Sequence, residues 1–173
     1  MALISIKGIT ENKRYYTFLC KYGKNDCVEY LIEKGADLNT KDGQGRTPLF
    51  FACNSSNYYR NDDMVKNLVD HGANVKVIDH QGNTPLMTFI NDFFINYNEY
   101  FDYDIKWEMM DYFANILEYI ISHGASLNRK SKSIHSTLNH IEKILYIDES
   151  LYDYLNEKVL SPNENKIKKR KLF

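Results

Sequence analysis

The chain has 173 residues, 43% of them hydrophobic and 26% charged, with a formal net charge of −1, which suits one globular domain or a few stacked units rather than a disordered chain. The near-zero charge excludes a global field for gathering nucleic acid or an anionic membrane, and no 18-residue apolar stretch offers a membrane span. The apolar start is broken at Lys7, short of a signal peptide, and Cys20, Cys27 and Cys53, odd in number and without metal spacing, predict reduced thiols, with Cys20 and Cys27 packed on helix faces.

Residues 1–14 read as an N-terminal cap or extension, and Tyr15 to Tyr22 as a first helix. Gly23 then leads into a helix carrying the stripe Val28, Leu31, Ile32, which ends at Gly35-Ala36-Asp37. The Gly-rich run Lys41-Asp42-Gly43-Gln44-Gly45 predicts a tight hairpin-like turn. Gly45-Arg46-Thr47-Pro48-Leu49 follows, with Thr47 placed to cap a helix and Pro48 where its missing N–H costs nothing. Leu49, Phe50 and Ala52 begin that short helix, and a polar loop runs from Asn54 to Asn61. Asp62 or Asp63 caps the next helix, whose stripe is Val65, Leu68, Val69 and whose end is Gly72-Ala73-Asn74.

The cycle then repeats. Asp79-His80-Gln81-Gly82 is a second turn, and Gly82-Asn83-Thr84-Pro85-Leu86 restates G-x-T-P-L after 37 positions. From Gly82 to Gly124 there are 42 residues, against 27 from Gly45 to Gly72, an excess that predicts an insertion over 92–106. Its mix of aromatics and acids reads either as a protruding binding loop or as a patch folding back over repeat surface. Trp107 to Ser122 predicts an elongated helix with Leu117, Ile120 and Ile121 in the same phase, before Gly124-Ala125-Ser126. One further apolar residue stands three places after each terminal Gly: Leu38, Val75 and Leu127. A partial fourth unit is expected over 134–160, with Ser136-Thr137-Leu138 where T-P-L would fall, and a last helix around Leu151, Tyr152, Tyr154, Leu155 and Val159. Residues 161–173 read as a disordered basic tail.

Self-similarity at such a period marks stacked units sharing one core. G-x-T-P-L, the V-x-x-L-[IV] helix and G-A-[DNS] together resemble the ankyrin repeat. The resemblance covers about residues 15–147 and implies an all-α solenoid of stacked helix pairs with hairpin-like turns, about three repeats plus a partial terminal one: 15–44, 45–81, 82–133 and 134–160. The second unit is about four residues over the family norm of about 33. The family's usual His after T-P-L is Phe50 in one unit and Met87 in the next, so apolar packing must replace its hydrogen bonds.

Family stacks bind partners through the arm tips and adjacent inner helices, a rigid concave strip. In this chain the strip comprises Lys41, Asp42, Gln44, Arg46, Asp79, His80, Gln81 and Asn83. The irregular unit lengths and the Asn, Ile, Lys and Tyr bias are similar to poxvirus ankyrin-repeat proteins, which act on host proteins. Many of these carry a C-terminal F-box-like segment that recruits a host ubiquitin ligase. No counterpart is found in this sequence, so the resemblance implies a short form for which ligase recruitment is doubtful. The expectation is a non-enzymatic module that binds a host or cellular protein, with no membrane, nucleic-acid or cofactor partner, in the cytoplasm; nuclear entry through Lys168–Lys171 is the alternative address. A truncated remnant without activity is a second reading. A small enzyme, with 92–106 as a lid over His80 or His140, is a third. Catalytic fingerprints and metal-ligand spacing are absent, and His71 and His123 read as helix-end residues that favour the dipole.

Overall fold

The computed structural model describes residues 19–20, 24–54, 62–97, 103–144 and 147–160. Seven helices make up this part, with no strand among the described residues: α1 Asn25–Glu33, α2 Pro48–Cys53, α3 Asp62–Asp70, α4 Pro85–Tyr97, α5 Tyr103–Ser122, α6 Ile134–Ile144 and α7 Glu149–Lys158. The N-terminal cap 1–14, the basic tail 161–173 and most of the helix expected over Tyr15–Tyr22 lie outside the described residues; Leu19 and Cys20 are helical.

Helices α1, α3 and α6 are amphipathic and must bury an apolar stripe against a neighbour, whereas α2 is apolar throughout and almost wholly buried. Helix α4 packs between α2 and α6 to form an inner layer, while α3 packs between α1 and α5 to form an outer one. The pairs α2/α3, α4/α5 and α6/α7 tie the layers together. Val28, Val65 and Leu117 are all buried in a single hydrophobic cluster, joined by Leu31, Leu68 and Ile120 from the same phase. Each such side chain contributes about 1.5–3 kcal/mol on leaving water.

Three outer helices end in the same way. Gly35, Gly72 and Gly124 adopt φ of +74°, +94° and +88°, conformations costly for any residue with a Cβ. The glycine N–H donates to Ile32, Val69 or Ile121, and the following alanine N–H donates to Leu31, Leu68 or Ile120. This paired closure satisfies carbonyls that the helix leaves open. His71 and His123 add a side-chain bond from Nδ1 to the carbonyls of Asn67 and Tyr119, both at 2.8 Å, as their helix-end positions suggest. Tyr119 also donates its hydroxyl to the Asp70 carboxylate, linking α5 to α3; burial and that bond push the phenol up to about 12.

The third repeat departs from the expected loop. Residues 92–97 continue α4 and residues 103–106 open α5, so the described part of the extra sequence lengthens both helices. Helix α4 has 13 residues where α2 has 6, and α5 has 20 where α3 has 9. Phe93 and Phe94 turn into the core, so this part of the insertion covers repeat surface, while Ile95 is exposed; residues 98–102 of the expected insertion lie outside the described residues. Phe93 stacks on Phe113 at 4.1 Å between centroids, and Phe89 stacks on the same ring at 5.3 Å.

Three local expectations need correction. Thr47 occupies the N-cap position of α2 but makes no side-chain cap bond, and its buried Oγ1 has no partner. Its repeat-mate Thr84 accepts from Met87 N at 3.3 Å and donates to Ser126 O at 2.9 Å. Ser136-Thr137-Leu138 lies one turn inside α6; Ser133-Ile134 stands where Thr84-Pro85 stands in the preceding unit. Cys27 is exposed, unlike Cys20 and Cys53. Burial pushes the Cys20 thiol up to about 12, and burial with the Asp92 carboxylate raises Cys53 further, so both are inert apolar packing groups.

Candidate functional site

The turns before α2 and α4 are built on one aspartate each. Asp42 Oδ1 accepts the N–H groups of Gln44 and Arg46, both at 2.9 Å. Asp79 Oδ1 accepts those of Gln81 at 2.9 Å and Asn83 at 2.7 Å. A carboxylate closing its own turn in this way is a local substitute for strand pairing. Gly45 and Gly82 complete each turn at φ of +80° and +86°. The arms are also tied to one another. His80 N–H donates to Gln44 O at 2.9 Å, and its ring lies against Gly45.

Beside these arms, on the inner layer, lies a groove of about 320 Å³. Five residues of the strip expected from sequence line it: Gln44, Arg46, Asp79, Gln81 and Asn83. Lys41, Asp42 and His80 do not line it; Lys41 and His80 are exposed on the arms, and Asp42 acts behind the wall by holding Arg46. The opposite wall comes from the inner helices and their ends: Phe50, Phe51, Asn54 and Thr88. Sequence reasoning missed these four as a group, although Phe51 and Thr88 occupy the same position 37 residues apart.

The charged side chains in the groove are engaged within their own arms. Arg46 donates from Nε and Nη2 to Asp42 Oδ2 at 3.0 and 2.8 Å, and its guanidinium lies 4.6 Å from the Phe51 ring centroid. Burial alone would raise the Asp42 carboxyl, but the Arg46 N–H and guanidinium and the Gln44 N–H outweigh it and hold the acid below the usual carboxylate range. Asp79 spends its oxygens on Gln81, Asn83 N and Asn83 Nδ2. The side chains left facing solvent are neutral amides, Gln44, Gln81 and Asn54. Such a surface selects by hydrogen-bond pattern and shape, not by a net field.

His140, one of the two histidines considered for catalysis, stacks on Phe94 at 5.1 Å and bonds Asn91 Oδ1 at 3.0 Å. Burial, then Lys143, lowers its pKa, which favours the neutral ring in the α4/α6 contact. Neither His80 nor His140 lines the groove. Phe50 and Met87, which replace the usual His, are both buried, and Met87 Sδ accepts Asn128 N at 3.4 Å. Among the described residues no cluster of three His, Cys, Asp or Glu has metal-binding proximity, and no helix is long and apolar enough to cross a membrane.

A family model of ankyrin repeats in three copies matches residues 16–98. A fowlpox virus (strain NVSL) protein whose name describes an ankyrin repeat protein is 56% identical over 32 residues, which are 18% of this chain and 6% of that protein. The likeness is therefore about one repeat long and spans a small part of the viral relative.

Proposed function

Since this is an ankyrin-repeat protein resembling those of poxviruses, we propose that it is a non-enzymatic module that binds a host protein along the arm-and-groove strip. The observation that carries the reading is the groove itself. Its arm wall is fixed by the Asp42 and Asp79 turns, and its floor by the inner helices, so the contact surface is rigid before binding. Rigidity lowers the ordering cost that a partner must overcome. The exposed amides of Gln44 and Asn54, and the Nε2 of Gln81, whose Oε1 accepts from Asn83 Nδ2 at 3.5 Å, offer donors and acceptors that suit a polypeptide segment. Host cytoplasm is the compartment this reading assigns.

Affinity purification from transfected cells tests the proposal, with Gln44→Ala/Gln81→Ala set beside wild type. Removing two hydrogen-bonding contacts at about 1 kcal/mol each cuts recovery of the specific partner at least roughly five-fold. Equal recovery from the double variant, with its thermal melt unchanged, rejects the groove as the binding site.

A further inference from the structure

The structure contains a third arm that sequence repetition conceals. Ser131 N–H donates to Asn128 O at 3.0 Å, as Gly45 does to Asp42 and Gly82 to Asp79. Lys130 N–H donates to Asn128 Oδ1 at 3.1 Å, as Gln44 and Gln81 do to their aspartates. Asn128 therefore stands where the other arms have Asp42 and Asp79. The amide keeps the turn-closing bond and removes the charge. It also anchors the arm to its neighbour by donating to Gly82 O at 2.7 Å, while Ser131 Oγ donates to Asn83 Oδ1 at 2.8 Å.

The electrostatic result differs from the first two arms. Residues 41–46 hold one acid and two bases, and residues 78–83 hold one acid. Residues 127–132 hold Arg129, Lys130 and Lys132 with no acid, and no Asp or Glu occurs from Tyr119 to Ile141. Lys130 and Lys132 are exposed, and neither side chain makes a hydrogen bond or ion pair among the described residues. In the first arm the equivalent cation, Arg46, is neutralised by Asp42. The third arm follows the groove along the same row of turns, so one extended partner segment reaches both.

Resting on the reading of this chain as a protein-binding stack, we infer that the third arm, Asn128–Ser133, is a second contact point that takes a carboxylate-rich segment of the partner polypeptide. Cations held on a closed turn attract such a segment at little entropic cost, and the contact weakens as salt rises. Nucleic acid is disfavoured because the arm presents Lys130 and Lys132 without an aromatic ring on which a base could stack.

The test is selection of random linear 16-residue peptides displayed on phage against wild type, Lys130→Ala/Lys132→Ala and Gln44→Ala/Gln81→Ala. The expected wild-type consensus contains a run of three or more Asp or Glu beside a neutral stretch. In the lysine variant the acidic run disappears and the neutral stretch stays; a synthetic wild-type consensus peptide loses affinity for the wild-type protein between 50 and 300 mM KCl and binds the lysine variant at least five-fold more weakly. A wild-type consensus without acids, or the same acidic run selected by the lysine variant, overturns the inference and leaves the groove untouched. Tighter binding of a labelled single-stranded RNA dodecamer than of the consensus peptide also overturns it. An unchanged neutral stretch from the glutamine variant instead rejects the groove and leaves the third arm standing.

Discussion

The second and third repeats begin and end alike and differ in the middle. Both open on an aspartate-closed turn with a left-handed glycine and close on a Gly-Ala helix end. Between those points the second repeat uses helices of 6 and 9 residues, and the third uses 13 and 20. What makes a unit stackable therefore lies in its ends, where backbone bonds and register are set. Helix length is free, provided that the added turns bring their own core. The third repeat supplies that core with phenylalanines: Phe89, Phe93 and Phe94 surround Phe113.

The difference is broken most severely at Phe113, which is fully buried. Phe113→Ala should cost about 3–5 kcal/mol in urea unfolding, enough to consume most of the stability of a small domain. A loss under about 1 kcal/mol would mean that the aromatic cluster is not the third repeat's core. The arm glycines come next. Ala at Gly45 or Gly82 must hold a left-handed φ, at roughly 1–2 kcal/mol. At Gly82 the new Cβ also meets the Ser131 backbone at 3.1 Å, whereas at Gly45 it meets the movable His80 ring at 2.9 Å. Gly82→Ala should therefore lower the melting midpoint more than Gly45→Ala, and the reverse order would place the inter-arm strain in the wrong repeat.

Thr84 and Thr47 sharpen the comparison at smaller scale. Thr84→Val removes a hydroxyl that bonds Ser126 O and Met87 N, costing about 1–2 kcal/mol, while Thr47→Val removes an unpartnered one and leaves stability level or raised. Equal losses in denaturant titrations would contradict this assignment. The smallest effect concerns Asp42. Its folded pKa is depressed, so its contribution is present above the ordinary value of 3.8 and is lost as pH falls through the lower folded value. The Tm gap between wild type and Asp42→Asn, worth under about 1 kcal/mol for a partly exposed pair, should be widest near pH 7 and close as the pH falls through the depressed folded value. A gap that grows in acid would reverse the sign.

Much of this architecture is legible in sequence because the repeat ends need particular residues. Glycine at 35, 72 and 124 and the Asp-led turns each follow from a backbone bond that few residues can support. The lengthened third repeat was harder to read, since the aromatic and acidic run looks like a loop. Its helical signal is an absence: no Gly or Pro interrupts residues 86–123. The third arm was hidden because Ser131 stands in for the glycine and Asn128 for the aspartate, shifted from the 37-residue step by the insertion. Half of the groove was foreseeable from the arms. The rest, Phe50, Phe51, Asn54 and Thr88, depends on how adjacent inner helices lie side by side, which local pattern does not encode.

Site-specific photocrosslinking tests the central claim most directly. A benzophenone side chain is placed at Gln81, in the groove, or at Tyr30, exposed on the outer helix α1. The account predicts that the partner recovered with wild-type protein crosslinks from position 81 and not from position 30. Crosslinking from position 30 alone would show that the partner sits on the convex face, and the arm-and-groove strip would then not be its binding site.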